Sequence, residues 1–194
     1  MGPGELEEED PRSLRVRAFF GLPVPEAQRD ELAPFLDACA QAAPEFRWTR
    51  LDNLHLTVRF IGSVDRSLVT SVAEALAGRA LTAFEMELGE VGTFGRGRGT
   101  RVVWFGLRAG VEGAAELAAH VEEECVRAGL PAESRPYQAH LTLARARPRD
   151  GGRLPVLPAM PRFQPWRADR LVLYSSRLAR SGAVYEAMRV LGLD

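Results

Sequence analysis

The sequence predicts an α+β fold built on mostly antiparallel sheets, and three observations lead there. Strand-like and helix-like segments do not alternate strictly, as they would around a parallel sheet. Their order is strand, helix, short strand, strand, helix, strand, strand, helix, strand, long loop, strand, strand. Two successive strand-like segments are joined by a Gly-rich hairpin loop, TFGRGRGT. With 194 residues, 46% of them hydrophobic, the chain fits one domain, or two small lobes sharing a core.

Each element has a local signal. Residues 15–22, RVRAFFGL, are the first strand, and Pro23 and Pro25 punctuate the turn after it. Pro25 suits the first turn of a helix, and residues 26–42 have helical spacing, with Pro34 expected to kink or interrupt them. FRWT, 46–49, is a short strand; LHLTVRFIG, 54–62, is a stronger one that Gly62 is expected to end. Residues 66–79 form an amphipathic helix with apolar Leu68, Val72, Leu76 and Ala80. FEMELGEVG, 84–92, and RVVWFGLR, 101–108, are strands. EGAAELAAHVEEECVRA, 112–128, is the clearest helix, closed by Gly129. AHLTLAR, 139–145, is another strand, and residues 147–166 hold five prolines in a long loop. RLVLYSSRL, 170–178, and AVYEAMRVL, 183–191, are strands, the last with a helical alternative.

Composition narrows the function classes. The first ten residues carry five acids and no base, and residues 1–13 read as a disordered acidic tail before a single domain, 14–194. Without that segment, 25 basic residues face 21 acidic ones, a mildly basic globule. All 25 basic residues are arginine. A P-loop lysine, a lysine Schiff base and a lysine-linked nucleotide are therefore excluded, while arginine suits bidentate phosphate contacts. No apolar run approaches the length of a membrane span, and the N-terminus lacks the basic start and apolar stretch of a secretory signal. The expectation is a cytoplasmic monomer with no membrane partner. Cys39 and Cys125 form no CxxC and read as small buried apolar residues in a reducing compartment. Two isolated cysteines and three scattered histidines give no zinc spacing, so no metal and no cofactor is expected.

The chain has three histidines, and two of them open the same tripeptide, His-Leu-Thr, 85 positions apart. Strand period puts His55, Thr57 and Arg59 on one face, with Leu54, Leu56, Val58 and Phe60 on the other. In the second copy His140 and Thr142 oppose Leu141 and Leu143. Two such strands aim two imidazoles and two hydroxyls into one cleft. That set suits phosphodiester cleavage. One neutral imidazole takes a proton from water and one imidazolium protonates the leaving oxygen. The threonine hydroxyls meet the non-bridging phosphate oxygens, where charge builds. A metal is not required. His120, in AAELAAHVEEE, lacks the motif and receives no role.

At these residues the sequence resembles a known family. HLTV and HLTL resemble the paired motifs of the 2H phosphoesterase superfamily, and within it the RNA 2′,3′-cyclic phosphodiesterases, also called 2′-5′ RNA ligases. The resemblance runs from about Arg15 to the C-terminus: RAFFGLPVP, RWTRLDNLHLTVRFIGSV, RPYQAHLTLAR and SSRLARSGAVYEAM each match a family region. Ala139 stands where a proline usually precedes the second histidine, and Phe94-Gly95 where a Phe-Pro usually marks the middle hairpin. The resemblance implies a bilobal α+β domain, with two mostly antiparallel sheets and outer helices around a central cleft. It implies hydrolysis of RNA ending in 2′,3′-cyclic phosphate to a 2′-phosphate, with 2′-5′ joining as the near-reverse reaction. The order taken is His140 as base and His55 as acid, which the sequence does not fix.

Other side chains are candidates for substrate binding. Arg59 shares the His55 face by parity. Arg145 matches the family's arginine after the second motif, yet parity puts it on the Leu141 face; a bulge after Leu143 is needed to turn it inward. Tyr137 and Phe20 are candidates to stack on a base, with core packing favoured for Phe20. Ser176 matches a family serine near the last hairpin. GRGRG, 95–99, reads first as a flexible hairpin, with Arg96, Arg98 and Arg101 available to an RNA backbone. Two alternatives stand beside the leading reading: a related phosphodiesterase for a small cyclic nucleotide or a 2′-5′ oligonucleotide, and a nucleotide- or RNA-binding module without turnover.

Overall fold

The computed structural model describes residues 15–96, 99–147, 151–179 and 182–194. The acidic segment 1–13 and the loop tip at 97–98 lie outside them, so the expectations placed there concern residues the structure does not describe. In chain order the elements are β1 (Arg15–Pro23), α1 (Glu26–Ala42), β2 (Phe46–Trp48), a 3₁₀ turn at Leu51–Asn53, β3 (His55–Asp65), α2 (Arg66–Ala77), β4 (Phe84–Arg96), β5 (Gly99–Ala109), α3 (Val111–Arg127), β6 (Leu141–Ala146), β7 (Trp166–Ala168), β8 (Arg170–Ala179) and β9 (Gly182–Gly192).

The strands run β7-β4-β5-β6-β3-β1-β8-β9, with β2 also on β6, and every pairing is antiparallel. The two expected sheets are the two halves of this path. They meet where β3 faces β6, and one residue pair, Leu56 with Leu141, joins them. Those two leucines are buried, as are Leu22 and Phe105 beside them on β1 and β5. The hydrophobic core is continuous through this row. Helices cover the leucine side of the sheet: α2 and α3 pack on β3, and Phe35 of α1 stacks on Phe105, 5.5 Å between centroids.

Several local expectations need correction. α1 runs unbroken through Pro34. That residue is exposed, so the hydrogen bond it cannot make falls on the side of the helix that water can reach. Gly62 does not end β3. With φ of +87° it pairs with Ala18, and the strand continues to Asp65. The strands β4 and β5 extend well into the expected hairpin loop. The second histidine precedes β6 rather than lying inside it. Residues 183–191 are strand throughout, because Leu171 to Leu178 supply a full-length partner. Gly129, at φ +89°, closes α3 as expected, and the Leu130 amide donates to the Cys125 carbonyl. Among the described residues no helix is long and apolar enough to cross a membrane.

Candidate active site

The Leu56–Leu141 pair builds the site. In an antiparallel ladder, pairing the central residues of two His-Leu-Thr tripeptides relates them by a local two-fold axis. His55 then falls beside Thr142, and Thr57 beside His140, on the face away from the helices. The two histidines are diagonal neighbours, about 7–8 Å apart at the backbone. The two rings lie within Coulombic reach of each other.

Both imidazoles are held the same way. The Nδ1–H of His55 donates to the Asn53 carbonyl at 2.7 Å, and that of His140 to the Gln138 carbonyl at 2.8 Å. Each carbonyl lies two residues before its histidine. The bond fixes the tautomer and leaves Nε2 as the working atom on both rings. Asn53 is itself anchored: its side-chain amide donates to the Ala183 carbonyl at 2.8 Å, tying the first histidine to the start of β9.

Aromatic walls flank each ring. Phe19, Tyr174 and Tyr185 surround His55, with centroids 4.6, 6.1 and 5.1 Å from it. Phe94 and Trp104 flank His140 at 5.2 and 6.1 Å. Two glycines make room. A Cβ at Gly21 would sit 3.3 Å from His55 Cδ2, and one at Gly92 would collide with the Trp104 ring. The packing withholds water from the charged imidazolium. Burial pushes the His55 pKa down to about 4, against the upward pull of the Asn53 carbonyl; Arg145 and His140 lower it further. His140 is also lowered by burial, with Arg145 adding to the effect and the Gln138 carbonyl opposing it.

Two bulges decide which arginine reaches the site. On β6, Trp104 pairs with Thr142 and Val103 with Ala144, so Leu143 has no partner on β5. This is the bulge that Arg145 required. Parity inverts after it: Leu143 and Ala144 are both buried, and Arg145 emerges exposed on the histidine face. β3 carries the matching irregularity. Gly21 pairs with Thr57 and Phe20 with Arg59, leaving Val58 unpaired on β1. Here inversion has the opposite result. Arg59 turns to the helix side, where it ion-pairs with Glu122 and Glu133 and donates to the Pro131 carbonyl at 2.7 Å. Phe60 takes the histidine side instead, 45% exposed under the Arg17 guanidinium.

Arg59 lines the groove with Thr57, His140 and Arg145, but its guanidinium is engaged by Glu122 and Glu133. It fastens the segment leading from α3 to His140. Arg59→Ala is expected to lower unfolding stability by about 1–3 kcal/mol, because Glu122 and Glu133 lose a charged partner. Thermal denaturation checks this. An unchanged melting temperature together with a weaker salt dependence of RNA binding would instead mark Arg59 as a phosphate ligand.

The other expected residues divide. Tyr137 lines the groove that contains Thr57, His140 and Arg145, and its hydroxyl donates to the Thr57 carbonyl at 3.3 Å. Ser176 lies two residues from Tyr174 on β8 and opposite Tyr185 on β9, so parity brings it to the aromatic wall of His55. Phe20 is 0% exposed in the core; its neighbour Phe19 is the one beside His55. Arg101 lines the groove. Sequence reasoning missed Phe19, Asn53, Phe94, Trp104, Tyr174 and Tyr185. For the five aromatic residues the signal is alternation along their own strands, which becomes informative once the pairing is known; Asn53 lies in the 3₁₀ turn before β3 and is marked only by its place two residues before the first histidine. Among the described residues no three His, Cys, Asp or Glu side chains gather as a metal site.

Comparison with known proteins places the chain in a family of phosphoesterases. A family model described as LigT-like phosphoesterase matches residues 22–104 and 107–185. An RNA 2′,3′-cyclic phosphodiesterase of Methanothermobacter thermautotrophicus is 28% identical over 188 residues, 93% of this chain and 100% of that protein. Another, from Geobacillus stearothermophilus, is 29% identical over 135 residues, 68% of this chain, but the match spans 42% of that longer relative. The crystal structure of Escherichia coli LigT complexed with 3′-AMP superposes with a TM-score of 0.78 at 25% identity, covering 92% of this chain and 98% of that one.

Proposed function

The chain belongs to the LigT-like phosphoesterase family, and from that membership we propose that it hydrolyses RNA ending in 2′,3′-cyclic phosphate to a 2′-phosphomonoester. The observation that carries the reading is the Leu56–Leu141 register, which sets two His-Leu-Thr motifs side by side. One Nε2 takes a proton from water as its oxygen attacks phosphorus. The bond from phosphorus to the 3′ oxygen breaks, and the other Nε2–H protonates that oxygen. The 2′ ester bond survives. Thr57 and Thr142 donate to the non-bridging oxygens as negative charge grows on them. With a 5′-hydroxyl of a second RNA in place of water, the same steps give a 2′-5′ linkage. Two free, buried cysteines suit a reducing cytoplasm.

The deciding assay incubates a short RNA ending in 2′,3′-cyclic phosphate with the protein in EDTA. Conversion to the 2′-phosphate is expected. Loss of activity in EDTA would overturn the metal-free scheme, and saturable RNA binding without turnover would favour a binding module. Turnover of a small cyclic nucleotide or a 2′-5′ oligonucleotide in preference to the RNA end would favour the related phosphodiesterase.

Burial also predicts the pH dependence. The free enzyme needs one neutral and one protonated imidazole. Both pKa values are lowered, so the protonated partner becomes scarce as pH rises through them. The kcat/KM profile is expected to peak on the acid side of about 6.5, the ordinary imidazole value, and to fall toward pH 8. The profile of kcat should lie higher, because the bound phosphate anion stabilises the imidazolium. A kcat/KM maximum above about pH 7.5 would contradict the burial argument.

A further inference from the structure

Arg145 has a neighbour that the catalytic scheme does not use. On β2, Arg47 pairs directly with Arg145. Residues directly opposed in an antiparallel ladder point to the same face. The flanking side chains confirm which face this is: Phe46 and Ala144 are buried in the core, and Trp48 packs against it, so Arg47 and Arg145 both lie on the histidine side. Both are exposed, and among the described residues no carboxylate pairs with either. Like charges set directly opposite one another on a sheet are destabilising, so the arrangement costs stability in the empty protein. Across β8 and β9, by contrast, an exposed arginine faces an acid: Arg177 pairs with Glu186.

The position of the pair fixes what it would meet. On β5, Trp104 faces Thr142 and Val102 faces Arg145, two residues apart. Arg145 is thus about 7 Å along the sheet from the threonine that meets the reacting phosphate. That is one step along an extended nucleotide chain. Arg145 and Arg147 line the groove on this side of His140.

We propose that Arg47 and Arg145 form a second phosphate subsite, which takes the 5′-phosphate of the nucleotide whose 2′,3′-cyclic phosphate is opened. The inference rests on the proposed function and sharpens it. The site selects the end of an RNA strand over a mononucleoside cyclic phosphate, because only the strand end carries a second phosphate at that distance. Two guanidiniums on one phosphodiester also offset their mutual repulsion, so the subsite is completed by its substrate.

The test compares binding of adenosine 2′,5′-bisphosphate with that of adenosine 2′-monophosphate by titration calorimetry, in the wild type and in Arg47→Gln. The wild type is expected to bind the bisphosphate about 10–100-fold more tightly, the range for hydrogen bonds to charged groups. Arg47→Gln should lower bisphosphate affinity about tenfold more than monophosphate affinity. Turnover gives the second readout. The ratio of kcat/KM for a dinucleotide ending in 2′,3′-cyclic phosphate to that for adenosine 2′,3′-cyclic phosphate should fall in the variant. Equal affinity of the wild type for the two probes, or an equal loss for both in Arg47→Gln, would overturn the subsite. Failure to turn over either cyclic phosphate, with the bisphosphate preference intact, would overturn the enzymatic reading and leave the second phosphate site standing.

Discussion

His55→Ala and His140→Ala are each expected to lower kcat on RNA 2′,3′-cyclic phosphate by about 10²–10⁴-fold, the usual worth of a positioned acid or base. Affinity for the 2′-phosphate product should change far less, because the threonines that hold the anion remain. The double variant should lose less than the product of the single losses, since neither proton transfer is useful without the other. Burial distinguishes the two rings. His55 is packed among Phe19, Tyr174 and Tyr185 and its pKa is driven down to about 4. When one proton is bound in the empty cleft, burial therefore leaves His55 the neutral ring, suited to the base, and His140 the protonated one, suited to the acid, opposite to the order taken from the sequence. An activated substrate separates the roles. A nucleotide p-nitrophenyl phosphodiester releases its leaving group without a proton, so the variant lacking the acid should approach wild-type rate on it, whereas the variant lacking the base should not. Recovery of His140→Ala alone would support the burial argument; recovery of His55→Ala alone would restore His140 as base and His55 as acid. Equal losses on both substrates would sink the division into acid and base.

Thr57→Val and Thr142→Val are expected to cost about 10²–10³-fold in kcat each, the magnitude for removing one preorganised donor to a developing oxyanion. Valine keeps the branched shape and the strand preference, so folding should survive. The main-chain bonds at these residues also survive: the Thr49 hydroxyl donates to the Thr142 carbonyl at 3.1 Å, and the Tyr137 hydroxyl to the Thr57 carbonyl. Single-turnover kinetics measures the effect, with thermal denaturation as the control. The local two-fold arrangement makes a further demand. Each threonine sits beside the other motif's histidine, so the two substitutions should resemble each other in size. A loss confined to one of them, or a loss explained by a lowered melting temperature, would show that the hydroxyls do not share the oxyanion.

Part of the candidate site is legible in the amino-acid sequence. The tripeptide repeat names His55, Thr57, His140 and Thr142, because a period of two is imposed by the strand itself and needs no partner. The strands and helices themselves are also visible, since apolar spacing and Gly or Pro boundaries are local. What fails is parity carried past an irregularity. Alternation puts Arg59 with His55 and Arg145 with Leu141, and unpaired Val58 and Leu143 reverse both placements. Nothing in VRF or LAR marks a bulge; it arises when two strands of different count are forced to share hydrogen bonds with a third. The aromatic walls are hidden for a related reason. Phe19 and Phe20 are adjacent and chemically alike, and only the β1–β3 register says which of them touches the histidine.

The sequence by itself determined the chemistry on offer: two imidazoles and two hydroxyls in strand alternation, and a chain with no lysine, whose strongly basic side chains are all arginine. The tertiary structure decided how those groups meet. It paired Leu56 with Leu141, so that motifs 85 residues apart became cross-strand neighbours. It turned Arg145 to the histidine face, tied Arg59 to Glu122 and Glu133, and set Arg47 beside Arg145. The physical reason is the reach of each signal. Side-chain chemistry and strand period are properties of a few consecutive residues. Register is fixed by hydrogen bonds and buried leucines contributed from both halves of the chain, and no local stretch contains it.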